Sequence, residues 1–222
     1  MATYDLEEQE QIDQLKHFWS RYGNLITWVL IVVLGGFAAW NGWNWWQRSQ
    51  SIKAAALYDE IERAAQARDA ARVEQALGDI KGQFGGTSFA AQGALLAAQS
   101  LFDAGKVDGA KAALSWVAES ASDDAYQAVA RLRLAGVLME AKNHDEALKV
   151  LQAPMPASHA GLAADRRGDV LMAQGKTEEA KAEYRKAWDS LSPQTEYRQL
   201  VQVKLASLGV DVSTAATPEV AK

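Results

Sequence analysis

The side chains in this 222-residue chain best suited to proton transfer or metal binding near neutral pH are its three histidines, His17, His144 and His159. None has another ligand at metal-binding spacing. His17 precedes a long apolar run, His144 falls in a turn between helical segments, and His159 lies in a proline-containing loop. The glycine-rich stretch 82–86 lacks the Gly-Lys-Ser/Thr ending of a phosphate loop and follows no strand. Asp123-Asp124 reads as a helix cap rather than an acid pair. No Gly-x-Ser-x-Gly elbow occurs, and the absence of cysteine removes disulfides, thiolate metal sites and a cysteine nucleophile. The sequence therefore predicts no enzyme: no catalytic residue, no cofactor, no metal and no small-molecule substrate. Two basic pairs, Arg131 with Arg133 and Arg166 with Arg167, are candidate contacts in a protein-binding groove, with a solvated face or local ion pairs as the plainer reading.

With chemistry set aside, charge and hydropathy describe the elements that position those residues. The formal net charge is −5, which gives no basic face for nucleic acid. It divides into −3 on residues 1–23, none in the next segment and −2 on the rest, so no strong field steers a charged polymer. The run Leu25–Trp46 has 22 residues without a charge, enough to cross a hydrocarbon core of roughly 30 Å. Its leucines, isoleucines, valines and Phe37 contribute on the order of −3 to −5 kcal/mol toward insertion. Trp19 stands before the run and Trp40, Trp43, Trp45 and Trp46 at its far end. Indole prefers the headgroup boundary because its ring is apolar and its N–H wants a partner, so these five are expected as interface anchors. The leader carries five acids against Lys16 and Arg21, which argues for a retained anchor over a cleaved signal. Basic residues flank both ends equally, so the charge count leaves the orientation open. Inside the span, Gly35 with Ala39 and Ala38 with Gly42 have the four-residue spacing that lets another helix approach closely in lipid.

From residue 47 onward the composition is that of strong helix formers, with no proline before Pro154. The segments around Gly105, Lys142 and Gly175 repeat one pattern: a helix end, a turn, an acid, and alanine five residues after the turn residue. A fainter copy begins at Arg68. Ala76, Ala110, Ala147 and Ala180 are then 34, 37 and 33 residues apart, near the tetratricopeptide period. Each such unit is two antiparallel helices that need small residues where they cross. Ala98, Ala110, Ala135, Ala147, Gly168 and Ala180 are the expected crossing positions, Gly105 and Gly175 the turns, and Tyr184 a filler of the last pocket. Alanine, at 42 of 222 residues, acquires a cause in these crossings. The expected architecture is all-α: a tail over 1–24, a transmembrane helix over 25–46, and a tetratricopeptide-like solenoid over 47–209. That solenoid has about three or four helical pairs and a capping helix near its C-terminal end. Residues 210–222 are expected to be a disordered tail.

An anchor followed by such repeats resembles the YfgM-like ancillary subunits of the bacterial SecYEG translocon. The tail segment from Glu8 to Gly23, the stretch Leu132-Arg133-Leu134-Ala135 and the stretch Ala164-Asp165-Arg166-Arg167-Gly168-Asp169 carry the resemblance, with Arg166 standing where an apolar residue is expected. The resemblance implies a single-pass protein of the bacterial inner membrane, tail in the cytoplasm and repeats in the periplasm. It also implies two partners, the SecYEG translocon and a membrane-anchored periplasmic chaperone of the prolyl-isomerase type. The implied role is a scaffold or co-chaperone that helps exported chains reach periplasmic folding factors. The alternative is a cytoplasm-facing, membrane-tethered tetratricopeptide adaptor with a regulatory role.

Overall fold

The chain's computed structural model describes residues 6–212, which form helices with no strand among the described residues. The helices are α1 (Leu6–Gln66), α2 (Ala70–Phe84), α3 (Ser88–Asp103), α4 (Val107–Ser120), α5 (Asp124–Glu140), α6 (His144–Leu151), α7 (Ala157–Ala173), α8 (Thr177–Ser190) and α9 (Tyr197–Ser207). The chain divides into two compact units, Met1–Gln50 and Ser51–Lys222, and the division falls inside α1.

In the first unit, α1 carries the apolar run as uninterrupted helix. Its large side chains point outward: Leu25 is 64% exposed, Val32 69% and Phe37 67%. A core helix would bury these residues, because each buried side chain of this size gains about 1.5–3 kcal/mol. Lipid is the solvent that suits them, and α1 is a candidate membrane span by length and composition.

The second unit is a stack of helix pairs. Four turns close the pairs, and each places one residue at positive φ: Arg68 at 55°, Gly105 at 75°, Lys142 at 61° and Gly175 at 75°. In each, the amide of the next residue donates to a carbonyl near the preceding helix end. The bonds are Asp69 to Ala64 (3.0 Å), Lys106 to Leu101 (2.8 Å), Asn143 to Leu138 (2.8 Å) and Lys176 to Leu171 (2.9 Å). This is the Schellman closure, and it satisfies carbonyls that a helix end otherwise leaves orphaned. Three helix starts are capped by a side-chain oxygen, whereas Asn143 before α6 and Glu196 before α9 make no such bond. Asp69 accepts from the Arg72 amide at 3.1 Å, Thr87 from Ala90 at 3.3 Å, and Asp123 from Ala125 at 2.8 Å.

These turns fix the repeat register and correct one expectation. Five residues after the turn residue stand Val73, Ala110, Ala147 and Ala180, each fully buried. The first helix pair therefore aligns on Val73, and Ala76 is the counterpart of Ala113. The turn spacing is 37, 37 and 33 residues. Seven residues before each turn stand Ile61, Ala98, Ala135 and Gly168, all buried. The first pair carries Ile61 and Val73 where the other three carry small residues, which is why its copy is faint in sequence.

An apolar core runs from Ala54 to Val170, and a second gathers Ala164, Leu171, Ala180, Tyr184, Ala187, Leu191, Val201 and Leu205 around the last pair and α9. Val210 and Val212 pack against the second core. The packed chain thus continues past Gly209, where a disordered tail was expected, because two valines gain more by burial than by solvation. The remainder of that expected tail, 213–222, lies outside the described residues.

Candidate functional site

Helices α3 and α5 lie side by side, joined by a hydrogen bond from Gln92 Nε2 to the Tyr126 hydroxyl at 2.7 Å. A shallow cleft of about 470 Å³ opens between the end of α1 and α3, lined by Ala65, Arg68, Leu96, Gln99, Ser100 and Asp103. A smaller one of about 170 Å³ lies across α3, α4 and α5, against Phe102, Arg133 and Val137. Gln99 borders both. The lining of the two clefts mixes apolar side chains, amides and charges of both signs.

The four arginines divide by what holds them. Arg131 donates to the carbonyls of Pro154 (2.8 Å) and Ala118 (3.0 Å) and to Gln127 Oε1 (2.9 Å), so it fastens the loop before α7 to α4 and α5. Arg167 donates to Glu183 at 2.7 Å and to the Leu151 carbonyl at 3.1 Å. Arg166, 39% exposed, lies 3.8 Å from Asp169. Arg133 is exposed, touches the Leu95 carbonyl at 3.5 Å and lines the smaller cleft. Burial alone would raise the Glu183 carboxyl, but hydrogen bonds from Lys186 and Arg167 outweigh it and hold the group below the ordinary carboxylate value.

Of the repeat-defining residues, Ala98, Ala110, Ala135, Ala147, Ala180 and Tyr184 are at most 3% exposed. Gly168 is a true close approach: a Cβ there would stand 2.4 Å from the Tyr184 ring. In the span, the positions of Gly35 and Gly42 face open space, Trp40 is 67% exposed, Trp43 58%, Trp45 71%, Trp46 49% and Trp19 59%. Ala38 and Ala39 are exposed beside them. His17 lies exposed on α1, His144 opens α6, and His159 contacts Ser158 Oγ at 3.0 Å. Among the described residues, no three histidine or acidic side chains gather as a metal cage.

The sequence reading missed a charged cluster that fastens α9. Lys204 Nζ reaches both oxygens of Asp165 at 2.8 Å and Asp169 at 2.6 Å. Tyr197 donates to Asp165 at 2.7 Å and Tyr184 to Asp169 at 2.8 Å. Asp165 is fully buried, so these donors replace its water shell. Burial and the neighbouring carboxylates hold both phenols well above their ordinary range. A sequence signal existed. Asp165 and Asp169 share one helix face, and Lys204 falls on the face of Val201, Leu205 and Leu208.

Comparison with known proteins places this architecture. A family model described as a tetratricopeptide repeat-like domain matches residues 16–210. A protein of Neisseria gonorrhoeae named ancillary SecYEG translocon subunit is 34% identical over 209 residues, 94% of this chain and 100% of its own. Proteins of the same name match from Haemophilus influenzae, 27% identical over 93% of this chain and all of theirs, and from Escherichia coli, 27% over 86% and 89%.

Proposed function

The chain belongs to the tetratricopeptide repeat-like family of ancillary SecYEG translocon subunits, and from that premise we propose that it is a single-pass inner-membrane scaffold of the translocon. Its span sits in the bilayer and its helix-pair stack holds other proteins. The repeats face the periplasm, where they bind a membrane-anchored chaperone of the prolyl-isomerase type and help exported chains pass from the channel to folding factors. The observation that carries this reading is the union, in one chain, of an outward-facing apolar span with a helix-pair stack whose cleft offers Arg133, Gln99 and Phe102 to a polypeptide.

The orientation is tested by adding protease to intact spheroplasts. Digestion of residues 47–222 is expected. Full protection would place the repeats in the cytoplasm and leave the tethered regulatory adaptor as the function. Association is tested by co-purification of the translocon with the detergent-solubilised full chain, which should fail when α1 is exchanged for an unrelated span.

A further inference from the structure

The most extended apolar surface on the described part of α1 before Leu25 belongs to Ile12, Leu15, Phe18, Trp19 and Tyr22, which are 40%, 68%, 50%, 59% and 43% exposed. The spacing of Ile12, Leu15, Trp19 and Tyr22 draws one stripe along the helix, and Phe18 widens it. The stripe is preformed. The Phe18 and Tyr22 rings meet at a tilt of 42° with centroids 5.1 Å apart, and the Trp19 indole lies over Gly23, where an added Cβ would stand 3.2 Å from its Nε1. Rings held this way lose little entropy when a partner covers them.

Lipid covers only the near half of the stripe. Helix α1 continues without interruption through Gly23 and Asn24. Ile12 therefore stands about 20 Å before Leu25, at 1.5 Å per residue, and Leu15 about 15 Å. The headgroup layer on each side of the hydrocarbon is only about 5–8 Å deep. Tyr22 and Trp19 end within or near it, while Leu15 and Ile12 stand in water. Charge selects the cover. Lys16 and Arg21 flank the two edges of the stripe, whereas Asp13 lies on the far side of the helix, 3.4 Å from Lys16. A second copy packed in parallel would set the Lys16 edge against the Arg21 edge, a like-charge contact.

We propose that this stripe docks one helix of a different membrane protein, a helix that leaves the bilayer beside α1, apolar on the facing side and acidic along its edges. The inference concerns a surface and its partner's chemistry, and it stands whether or not that partner is a translocon subunit. The experiment uses the full chain in native membranes, with a photoreactive residue at Leu15 or, on the opposite face, at Ser20. The crosslinked partner peptide is then sequenced. A Leu15 adduct should form with a membrane-proximal helix bearing Asp or Glu at the edges of an apolar stripe, and the Ser20 adduct should be about tenfold weaker. Lys16→Glu with Arg21→Glu should lower the Leu15 adduct about tenfold, as expected for turning two rim attractions into repulsions. Ile12→Gln, which lies far from the bilayer, should lower it as well, and resistance to carbonate extraction checks that each variant still inserts. Adducts with lipid, adducts with a second copy, equal yields from the two faces, or indifference to the charge reversal would each overturn the proposal. A matching partner helix outside the translocon would keep this docking face and remove the translocon assignment.

Discussion

The volume match at the last helix crossing can be tested by a pair of substitutions, Gly168→Ala and Tyr184→Leu. Counted from the turn residues, Gly168 and Tyr184 stand where the two preceding pairs have Ala98 with Leu114 and Ala135 with Leu151. The larger ring is accommodated by the smaller opposite residue. A methyl on residue 168 would lie 2.4 Å from Cε1 of Tyr184. The ring has little freedom to retreat, since its hydroxyl is tied to Asp169 at 2.8 Å and Lys204 Nζ lies 5.2 Å from its centroid. Overpacking of this kind costs about 1–3 kcal/mol. Alanine gains about 1 kcal/mol over glycine in a helix interior, so Gly168→Ala alone should lose up to about 2 kcal/mol. Tyr184→Leu alone should destabilise through the lost hydrogen bond to a carboxylate, about 1.5–3 kcal/mol. In that background Gly168→Ala rebuilds the Ala/Leu pair of the earlier repeats and should stabilise by about 1 kcal/mol. The coupling is therefore about 1–3 kcal/mol. Urea denaturation of the full chain in detergent measures all four corners of the cycle. Equal effects of Gly168→Ala in both backgrounds would show that the glycine is not there to admit the ring.

Three further outcomes follow from the same contacts. Lys204→Met leaves Asp165 buried without its cation, and should cost about 3–5 kcal/mol and speed amide exchange in α9 before the rest of the stack opens. Lys142→Gly relieves a positive φ of 61° and should stabilise by about 0.5–1 kcal/mol, whereas Gly105→Ala, at 75°, should destabilise; thermal unfolding reads both. Glu183 has its carboxyl lowered in the folded state, so its contribution is present above the unfolded value of 4.5 and is lost as pH falls through the folded value. Glu183→Gln should accordingly weaken the protein at pH 7 and shrink the stability lost on acidification, as followed by urea midpoints across that window.

The stack was legible wherever the turn and crossing chemistry recurred. Gly105 and Gly175 announce left-handed turns, and Ala110, Ala147 and Ala180 mark close crossings, because few other residues satisfy those positions. The first pair was nearly invisible because Arg68 holds the same turn at 55° without being glycine, and Ile61 and Val73 replace the small residues. Its register became readable only through the amide of Asp69 reaching the Ala64 carbonyl. The arginines show the opposite limit. The sequence offered all four as groove candidates, yet it could not distinguish Arg131, bound to two carbonyls, from Arg133, open to the cleft.

What the sequence determined by itself is set by local and compositional physics. A 22-residue run without charge must find lipid or a partner, and helix formers broken at a regular period must pair. What only the tertiary structure decided depends on groups distant along the chain. Lys204 lies 39 residues from Asp165, and no local rule joins them. Their meeting fixes α9 at the end of the stack, because a carboxylate buried there requires a cation at bonding distance. The repeat spacing marked Gly168 as a crossing position and Tyr184 as a pocket filler, but only the structure shows that the ring lies 2.4 Å from where a Cβ on residue 168 would stand.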